Sequence, residues 1–364
     1  MKILVIGPSD TRSKGGMATV ISDMRNNEVI EYDLDFHESY IDGSFLTRLL
    51  FSIYAFIRFL FIQNRYDAFH IHVASKGSTF RKMYYLNAIK RKHKKAIIHI
   101  HGANYVEFYD SLSVKQKRRV REFLKSADMV IALSDEWKSK FEKLLGLKNC
   151  EALPNGINTD LYRDAVSYDD PNAFAMLGRL GERKGSYILV EATEKAVREN
   201  PSIKVVMAGD GEIEKVRQCI IGLEDHISLP GWIDSGQKLD VLKNCSILIL
   251  PSYHEGLPMA ILEGMAAGKA VISTTVGAIP EVIEEENGIL VEPGDADALA
   301  DAMLKLAGNT DLIKEMGRKN IEKTENEFSV RTMHKRLNGL YARAFDGHDN
   351  EEHNSDAVQH PVQD

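Results

Sequence analysis

Eight short apolar runs punctuate the chain: KILVIG, DAFHIHV, AIIHIHG, MVIALS, FAMLGRL, KVVMAG, SILILPS and AVISTT. They do not alternate with polar residues, and the stretches between them carry apolar positions at helical spacing. A run that stays apolar at successive positions reads as a strand buried on both faces, and strand–helix repetition of this kind predicts parallel sheets. The polar, proline-containing stretch RDAVSYDDPN at 163–172 reads as a linker. The predicted organisation is an α/β chain of two sheet domains, residues 1–164 and 172–327. The segment FSVRTMHKRLNGLYARAF, 328–345, is helical by pattern, and the polar, acidic residues 346–364 are predicted to be a disordered tail.

One helical stretch is unlike the rest. SFLTRLLFSIYAFIRFLFIQNRY, 44–66, is apolar nearly all round and rich in aromatics, but Arg48 and Arg58 interrupt it. Arginines placed well inside such a stretch make spanning a bilayer costly, so it is predicted not to cross one. Leu46, Leu49, Leu50, Ile53, Ile57 and Leu60 form a stripe expected to face the core. Phe51, Tyr54, Phe56, Phe59 and the arginines Arg48 and Arg58 lie off it, and are expected to point outward towards an anionic membrane surface.

Length and charge sharpen this picture. The 364 residues carry a net charge of −7, but the two halves differ. Residues 1–164 hold 26 Lys+Arg against 19 Asp+Glu, whereas residues 165–364 hold 20 against 34. The clusters Lys90–Lys95 and Lys115–Arg121 point to an anionic partner. Nucleic acid fits poorly, because no aromatic stacking module accompanies them. The cysteines Cys150, Cys219 and Cys245 are far apart and odd in number, which suits neither a disulfide framework nor a zinc site. MKILVIGPSD has no secretion-signal pattern, and a cytoplasmic location is expected.

The chemistry lies in the loops that follow the strands. Ser13-Lys14-Gly15-Gly16-Met17 precedes a helical stretch, so backbone N–H groups there could meet a phosphate. The spacing is neither GxGxxG nor a P-loop, and a packing turn reads equally well from this loop alone. Gly178-Arg179-Leu180 and Lys184-Gly185 follow FAML, offering two cations to a diphosphate. PSYHEGLP follows SILIL and ends where a helix begins, which puts Glu255 in the loop and Glu263 one to two turns inside the helix. Eight residues span about 12 Å along a helix axis, too far to share a proton. The two carboxylates therefore read as separate contacts on an extended ligand, Glu263 on paired ribose hydroxyls and Glu255 on the group beyond the phosphates. The competing reading has Glu255 capping the helix and Glu263 solvated.

With PNGIN (154–158), GRLGERKG (178–185), AGDGE (208–212), LPGW (229–232), EGLPMAILEGMAAGKAVI (255–272) and VGAIPEVI (276–283), the sequence resembles the retaining, nucleotide-sugar-dependent glycosyltransferases of family 4, of the kind that builds bacterial polysaccharides. The resemblance runs from KILVIGP to about Tyr341. It implies the GT-B fold, two Rossmann-like domains whose parallel sheets face each other across a cleft, with the 328–345 helix packing back on the N-terminal domain. It also implies Arg179 and Lys184 as diphosphate ligands, Gly15 and Gly16 as backbone contacts to phosphate, and Glu263 as the ribose ligand. Glu255, with Gly256, Leu257 and Pro258 beside it, would meet the transferred hexose, and Gly231 in Pro230-Gly231-Trp232 would line the base. His101 matches a histidine near the donor sugar, although Gly102 stands where many members have an acidic residue. The partners implied are a nucleoside diphosphate sugar and a glycan or lipid-linked acceptor, with no cofactor and no metal.

His70 and His72, like His99 and His101, form HxH pairs on one strand face, a spacing able to chelate zinc. No carboxylate or cysteine accompanies them, so His70, His72 and His99 are expected instead at strand ends, satisfying backbone groups. The reading is a hexosyltransferase peripheral to the inner face of the membrane. A nucleotide-sugar epimerase of the same fold and a non-catalytic nucleotide-sugar-binding protein are the rivals.

Overall fold

Each of the eight apolar runs is a β-strand, and four further strands flank them. The computed structural model describes residues 1–13, 15–26, 29–102 and 105–346. The first sheet contains β1 (Lys2–Pro8), β2 (Asp33–Tyr40), β3 (Ala68–Val73), β4 (Lys95–Ile100), β5 (Met129–Ala132) and β6 (Cys150–Ala152), in the order β2-β1-β3-β4-β5-β6. The second contains β7 (Ala173–Leu177), β8 (Lys204–Ala208), β9 (Ile227–Gly231), β10 (Ile247–Leu250), β11 (Ala270–Thr274) and β12 (Gly288–Val291), in the order β12-β11-β10-β7-β8-β9. Every pairing is parallel. The four strands without a long apolar run, β2, β6, β9 and β12, are the four sheet edges. An edge strand has one neighbour and less cover, so it tolerates the polar alternation of DLDFHESY and the three-residue length of β6.

Strand order fixes where ligands can bind. In the first sheet the order reverses between β1 and β3, and in the second between β7 and β10. Connections from the two strands at such a point leave towards opposite faces, which opens a crevice beyond their carboxyl ends. In the first domain this end carries the starts of α1 (Gly16–Arg25) and α3 (Gly77–Lys90), while α2 (Phe45–Ile62) follows edge strand β2.

The chain changes domain earlier than the 163–172 stretch. Ile157, Tyr162 and Ala165 already pack in the core of the second sheet, with Tyr162 and Ala165 on a short 3₁₀ helix, Thr159–Ala165. It returns at the other end. Phe328 belongs to the second core, whereas Met333, Leu337, Leu340, Tyr341, Ala344 and Phe345 pack on Ile3, Val5 and Ile97 of the first sheet. Asp346 is part of this last helical turn, and its carboxylate accepts a hydrogen bond from the Tyr32 hydroxyl at 2.7 Å. The expected tail thus loses its first residue to the fold, and residues 347–364 lie outside the described residues.

The faces of α2 are only partly those expected: Arg48, Tyr54 and Arg58 point outward, but the apolar stripe and two of the rings change places. Phe59 is fully buried, Ala55 lies against β2, and Phe56 is half-buried against Tyr85. Leu46, Leu49, Leu50, Ile53, Ile57 and Leu60, the expected core stripe, are all exposed, together with Phe45, Tyr54 and Phe61. The helix is apolar on so many sides that periodicity does not choose a face. The choice goes to the rings, which bury more area each and nest at 4.8 Å (Phe59–Tyr85) and 5.9 Å (Phe59–Phe69). By length and composition the segment Phe45–Arg65 could cross a membrane; in the fold Ala55 and Phe59 are buried in the domain core, with Phe56 partly so.

The first basic cluster is largely used inside the domain. Lys90 pairs with Asp128 at 2.5 Å, Lys94 donates to the carbonyls of Gln63 and Asn64, and Lys95 donates to that of Phe345. In the second cluster Lys117 and Arg118 face Asp110 and Glu122 at the surface, leaving Lys115 and Arg119 to solvent.

Candidate active site

The two crevices open on a common cleft of about 830 Å³ between the domains, within the range of small-ligand sites. Gly15, Gly16 and His101 line it from the first domain. Arg179, Lys184, Glu255, Gly256, Leu257, Pro258 and Glu263 line it from the second. Gly231 does not line it; the next residues, Trp232 and Ile233, do. Gly231 is the last residue of β9, and its carbonyl is taken by the Gly209 N–H at 2.8 Å.

Glu255 is only 6% exposed. Its carboxylate accepts from Ser252 Oγ at 2.8 Å, meets Lys184 Nζ at 2.5 Å and faces the Arg183 guanidinium at 3.7 Å. The pair exists because two loops touch: Gly185 has φ +75°, and a Cβ there would sit 1.9 Å from the Pro251 carbonyl oxygen. Only glycine lets the cation loop after β7 lie against the glutamate loop after β10. Glu255 does not cap the following helix, Met259–Ala266, whose N-cap is Pro258 without a side-chain bond.

Glu263 is not solvated either, being 8% exposed. Lys238 donates to it at 2.5 Å, and the buried Tyr162 hydroxyl is hydrogen-bonded to it. Burial first, then the charge of Glu263, hold the Tyr162 hydroxyl above its usual titration range. The two glutamates therefore sit in separate ion pairs, each with its own cation. Lys238, Tyr162 and Asp42 lie outside the motifs that marked the site; Arg183 lies inside GRLGERKG (178–185), where only Arg179 and Lys184 were taken as ligands. Asn155 also lies inside a motif: it belongs to PNGIN, lines the cleft, and keeps a buried Oδ1 without a partner.

The remaining charge sits at the cleft edges. Arg179 is exposed, with Asp210 4.0 Å away. Across from it, Gly15 is the N-cap of α1 and offers no side-chain cap, so the first N–H groups of α1 face the cleft. Lys14 lies outside the described residues, as do Ala103 and Asn104 after His101.

The histidines are not strand-end residues bonded to backbone. In adjacent parallel strands His72 pairs in register with His99. His70, His72 and His99 are buried in a ladder in which His70 bonds the Tyr341 hydroxyl at 2.7 Å and His99 at 3.3 Å, and His72 bonds His101 at 2.7 Å. Nitrogens of His70, His72 and His99 lie within 4.8 Å of one another, close enough to weigh as metal donors, though most are engaged in these bonds. Burial pushes the imidazoles of His70 and His101 down to about 3, so both are neutral near pH 7. At the cleft, His101 is thus a hydrogen-bonding group rather than a cation.

Two six-stranded parallel sheets on either side of a cleft are the GT-B fold. A family model described as Glycosyltransferase Family 4 matches residues 15–161, and one described as Glycosyl transferases group 1 matches residues 171–309; the chain belongs to this family. It is 26% identical over 291 residues to WcaL of Escherichia coli strain K12, named for colanic acid biosynthesis, covering 76% of this chain and 70% of that protein. It is 30% identical over 192 residues to the phosphatidyl-myo-inositol mannosyltransferase of Mycobacterium leprae, covering 51% of each chain. Among solved structures, Anabaena Alr3699/HepE in complex with UDP-glucose superposes with a TM-score of 0.75 at 20% identity, covering 94% of this chain and all of that one.

Proposed function

We propose that this glycosyltransferase moves a hexosyl group from a nucleoside diphosphate sugar to a hydroxyl of a lipid-linked glycan acceptor, with retention of configuration, in cell-surface polysaccharide assembly. One observation carries the reading: a single cleft gathers Arg179, Lys184 and the α1 N-terminus with two separately paired carboxylates, Glu255 and Glu263. The names of WcaL and of the mannosyltransferase support a polysaccharide or lipid acceptor, and UDP-glucose in the HepE complex supports the donor class.

In this reading the donor lies across the mouth of the second sheet. Glu263 takes the ribose hydroxyls, and Arg179, Lys184 and the Gly15-Gly16 N–H groups take the diphosphate. Glu255 and His101 take the hexose. As the glycosidic bond breaks, negative charge grows on the leaving diphosphate, and these fixed donors stabilise it where water would have to reorganise. The departing phosphate oxygen accepts the proton of the acceptor hydroxyl on the same face, so no protein nucleophile is used. No cofactor or metal enters the proposal, because protein cations and a helix N-terminus supply the positive charge. A thermal-shift panel of nucleoside diphosphate sugars, followed by product analysis with lipid-linked acceptors, tests it. A stabilising donor with acceptor-dependent release of its nucleoside diphosphate is expected. Sugar interconversion without acceptor would reassign the chain as an epimerase.

The acceptor reading extends to a cytoplasmic enzyme docked on the inner face of an anionic membrane through α2. Its outward face carries Leu46, Leu49, Leu50, Ile53, Ile57 and Leu60, with Phe45 and Phe61 at its ends. Cosedimentation with phosphatidylglycerol vesicles is expected to fall with salt and to drop strongly in Leu50→Ser plus Ile53→Ser. Phe56→Ser plus Phe59→Ser should instead destabilise the domain, since Phe59 is buried. Equal recovery in the supernatant with and without vesicles would remove the docking surface.

A further inference from the structure

A second cavity, of about 430 Å³, opens on the first domain where β1 and β3 diverge, at that sheet's own reversal point. Its floor is the carboxyl ends of β1, β2 and β3, and its wall is the start of α3. Arg48, Arg81 and Lys82 line it, and no aspartate or glutamate does. Among the described residues none of the three forms a salt bridge with a carboxylate. Lys82 is 3% exposed, and its Nζ reaches the Ile6 carbonyl, at 3.4 Å, the Ser39 hydroxyl and the face of the Tyr85 ring, 5.2 Å from its centre. Arg81 lies over the Tyr40 ring at 5.0 Å and folds back beside Gly77, at an α3 N-terminus that has no side-chain cap.

A fourth polar group points to a ligand independently of these cations. His72 is fully buried and lines the cavity, and its Nε2 has no partner. Its other nitrogen bonds His101, which lines the donor cleft, and Met17 lines both cavities. The two sites are therefore neighbours, joined through one histidine pair. Burial first, then the neighbouring Arg81 charge, push the Lys82 ammonium well below its usual range, and an anion entering this cavity favours its charged form. The exposed side of the cavity carries Arg48 on α2, one turn before Phe51, which with Leu46, Thr47, Leu50 and Tyr54 lines an open groove.

We propose that this cavity is an acceptor subsite that binds a phosphate or diphosphate group through Arg48, Arg81, Lys82 and the α3 N-terminus, and holds the acceptor hydroxyl beside Met17 and the donor cleft. The proposal rests on the glycosyltransferase reading for the word acceptor, but not for the anion. A phosphate carried by a lipid would lay its chain along the α2 groove, whereas a soluble phosphorylated acceptor would use the cavity alone.

Calorimetric titration of the full chain with inorganic pyrophosphate separates the cavity from the donor cleft. The wild type is expected to show two sites. Arg48→Gln/Arg81→Gln should lose one, and Arg179→Gln/Lys184→Gln should lose the other. Arg48 is exposed, so Arg48→Gln alone leaves the core intact and should weaken the cavity site about fivefold, as one charge-assisted bond is lost. Repeating the titration with a C15 prenyl diphosphate distinguishes the source: at least about tenfold tighter binding, lost in Leu50→Ser, indicates a lipid-borne phosphate, and equal affinity a soluble one. Wild-type pyrophosphate binding in Arg48→Gln/Arg81→Gln would overturn the subsite. Wild-type binding in Arg179→Gln/Lys184→Gln would count against the donor cleft alone and leave the subsite standing.

Discussion

Lys184→Ala should lower donor turnover by about two to three orders of magnitude, the loss expected when one fixed donor to a developing oxyanion is removed. Stability falls as well, for a separate reason. Lys184 and Glu255 form an ion pair with little exposure on either side, and removing Lys184 leaves Glu255 buried with only Ser252 Oγ and the more distant Arg183 guanidinium, 3.7 Å away, at a cost of up to about 3 kcal/mol. The double variant Lys184→Ala/Glu255→Ala separates the two effects. Losing both charges together should return much of the stability while turnover stays as low as in the single variant. If the double variant recovered turnover along with its melting temperature, the pair would be structural and the diphosphate would bind elsewhere.

Termination before Phe328 should abolish soluble expression, whereas termination after Asp346 should leave the melting temperature and turnover unchanged. The segment between them buries Met333, Leu337, Leu340, Tyr341 and Phe345 against the first sheet. At about 1.5–3 kcal/mol for each large apolar side chain, this is on the order of 10 kcal/mol, comparable with the whole stability of a domain. The deletion also strips the Tyr341 hydroxyl from His70 and the Ser329 pairing from Ile157, the contacts that tie the returning helix to both domains. The cut must fall after Asp346, because this residue holds Tyr32. A soluble, active chain ending at 327 would show that the returning helix is dispensable. Soluble yield and circular dichroism of the two truncations decide it.

How much of this was legible in the sequence follows from burial. The eight central strands announced themselves because a strand covered on both faces must be apolar at every position, and the four edge strands did not because that demand is relaxed there. The faces of α2 were misread in part, for a related cause, with Arg48, Tyr54 and Arg58 outward as expected but Phe59 buried and the leucine stripe exposed. A helix apolar nearly all round carries too little contrast for periodicity to orient it, and ring packing against Phe69 and Tyr85 decided the matter. Glycine and proline punctuation placed Arg179, Lys184 and Glu255 in the segments after strands, and Glu263 inside the following helix, all of which meet at the cleft. It could not show that both glutamates are ion-paired. Lys238 and Lys184 reach them through contacts between segments, one of them 71 residues away along the chain. The histidines at 70, 72 and 99 read as strand residues, yet their ladder depends on the register of β3 with β4 and on a tyrosine from the returning helix.

The central claim is that the cleft holds a nucleoside diphosphate sugar and releases its sugar to an acceptor. The most direct measurement is release of nucleoside diphosphate from the donor that most raises the melting temperature, with and without a lipid-linked glycan acceptor. Release that needs acceptor, accompanied by a new glycoside of the donor's anomeric configuration and lost in Lys184→Ala, is the result this account predicts. A panel in which no nucleoside diphosphate sugar stabilises the chain and none is turned over would contradict it.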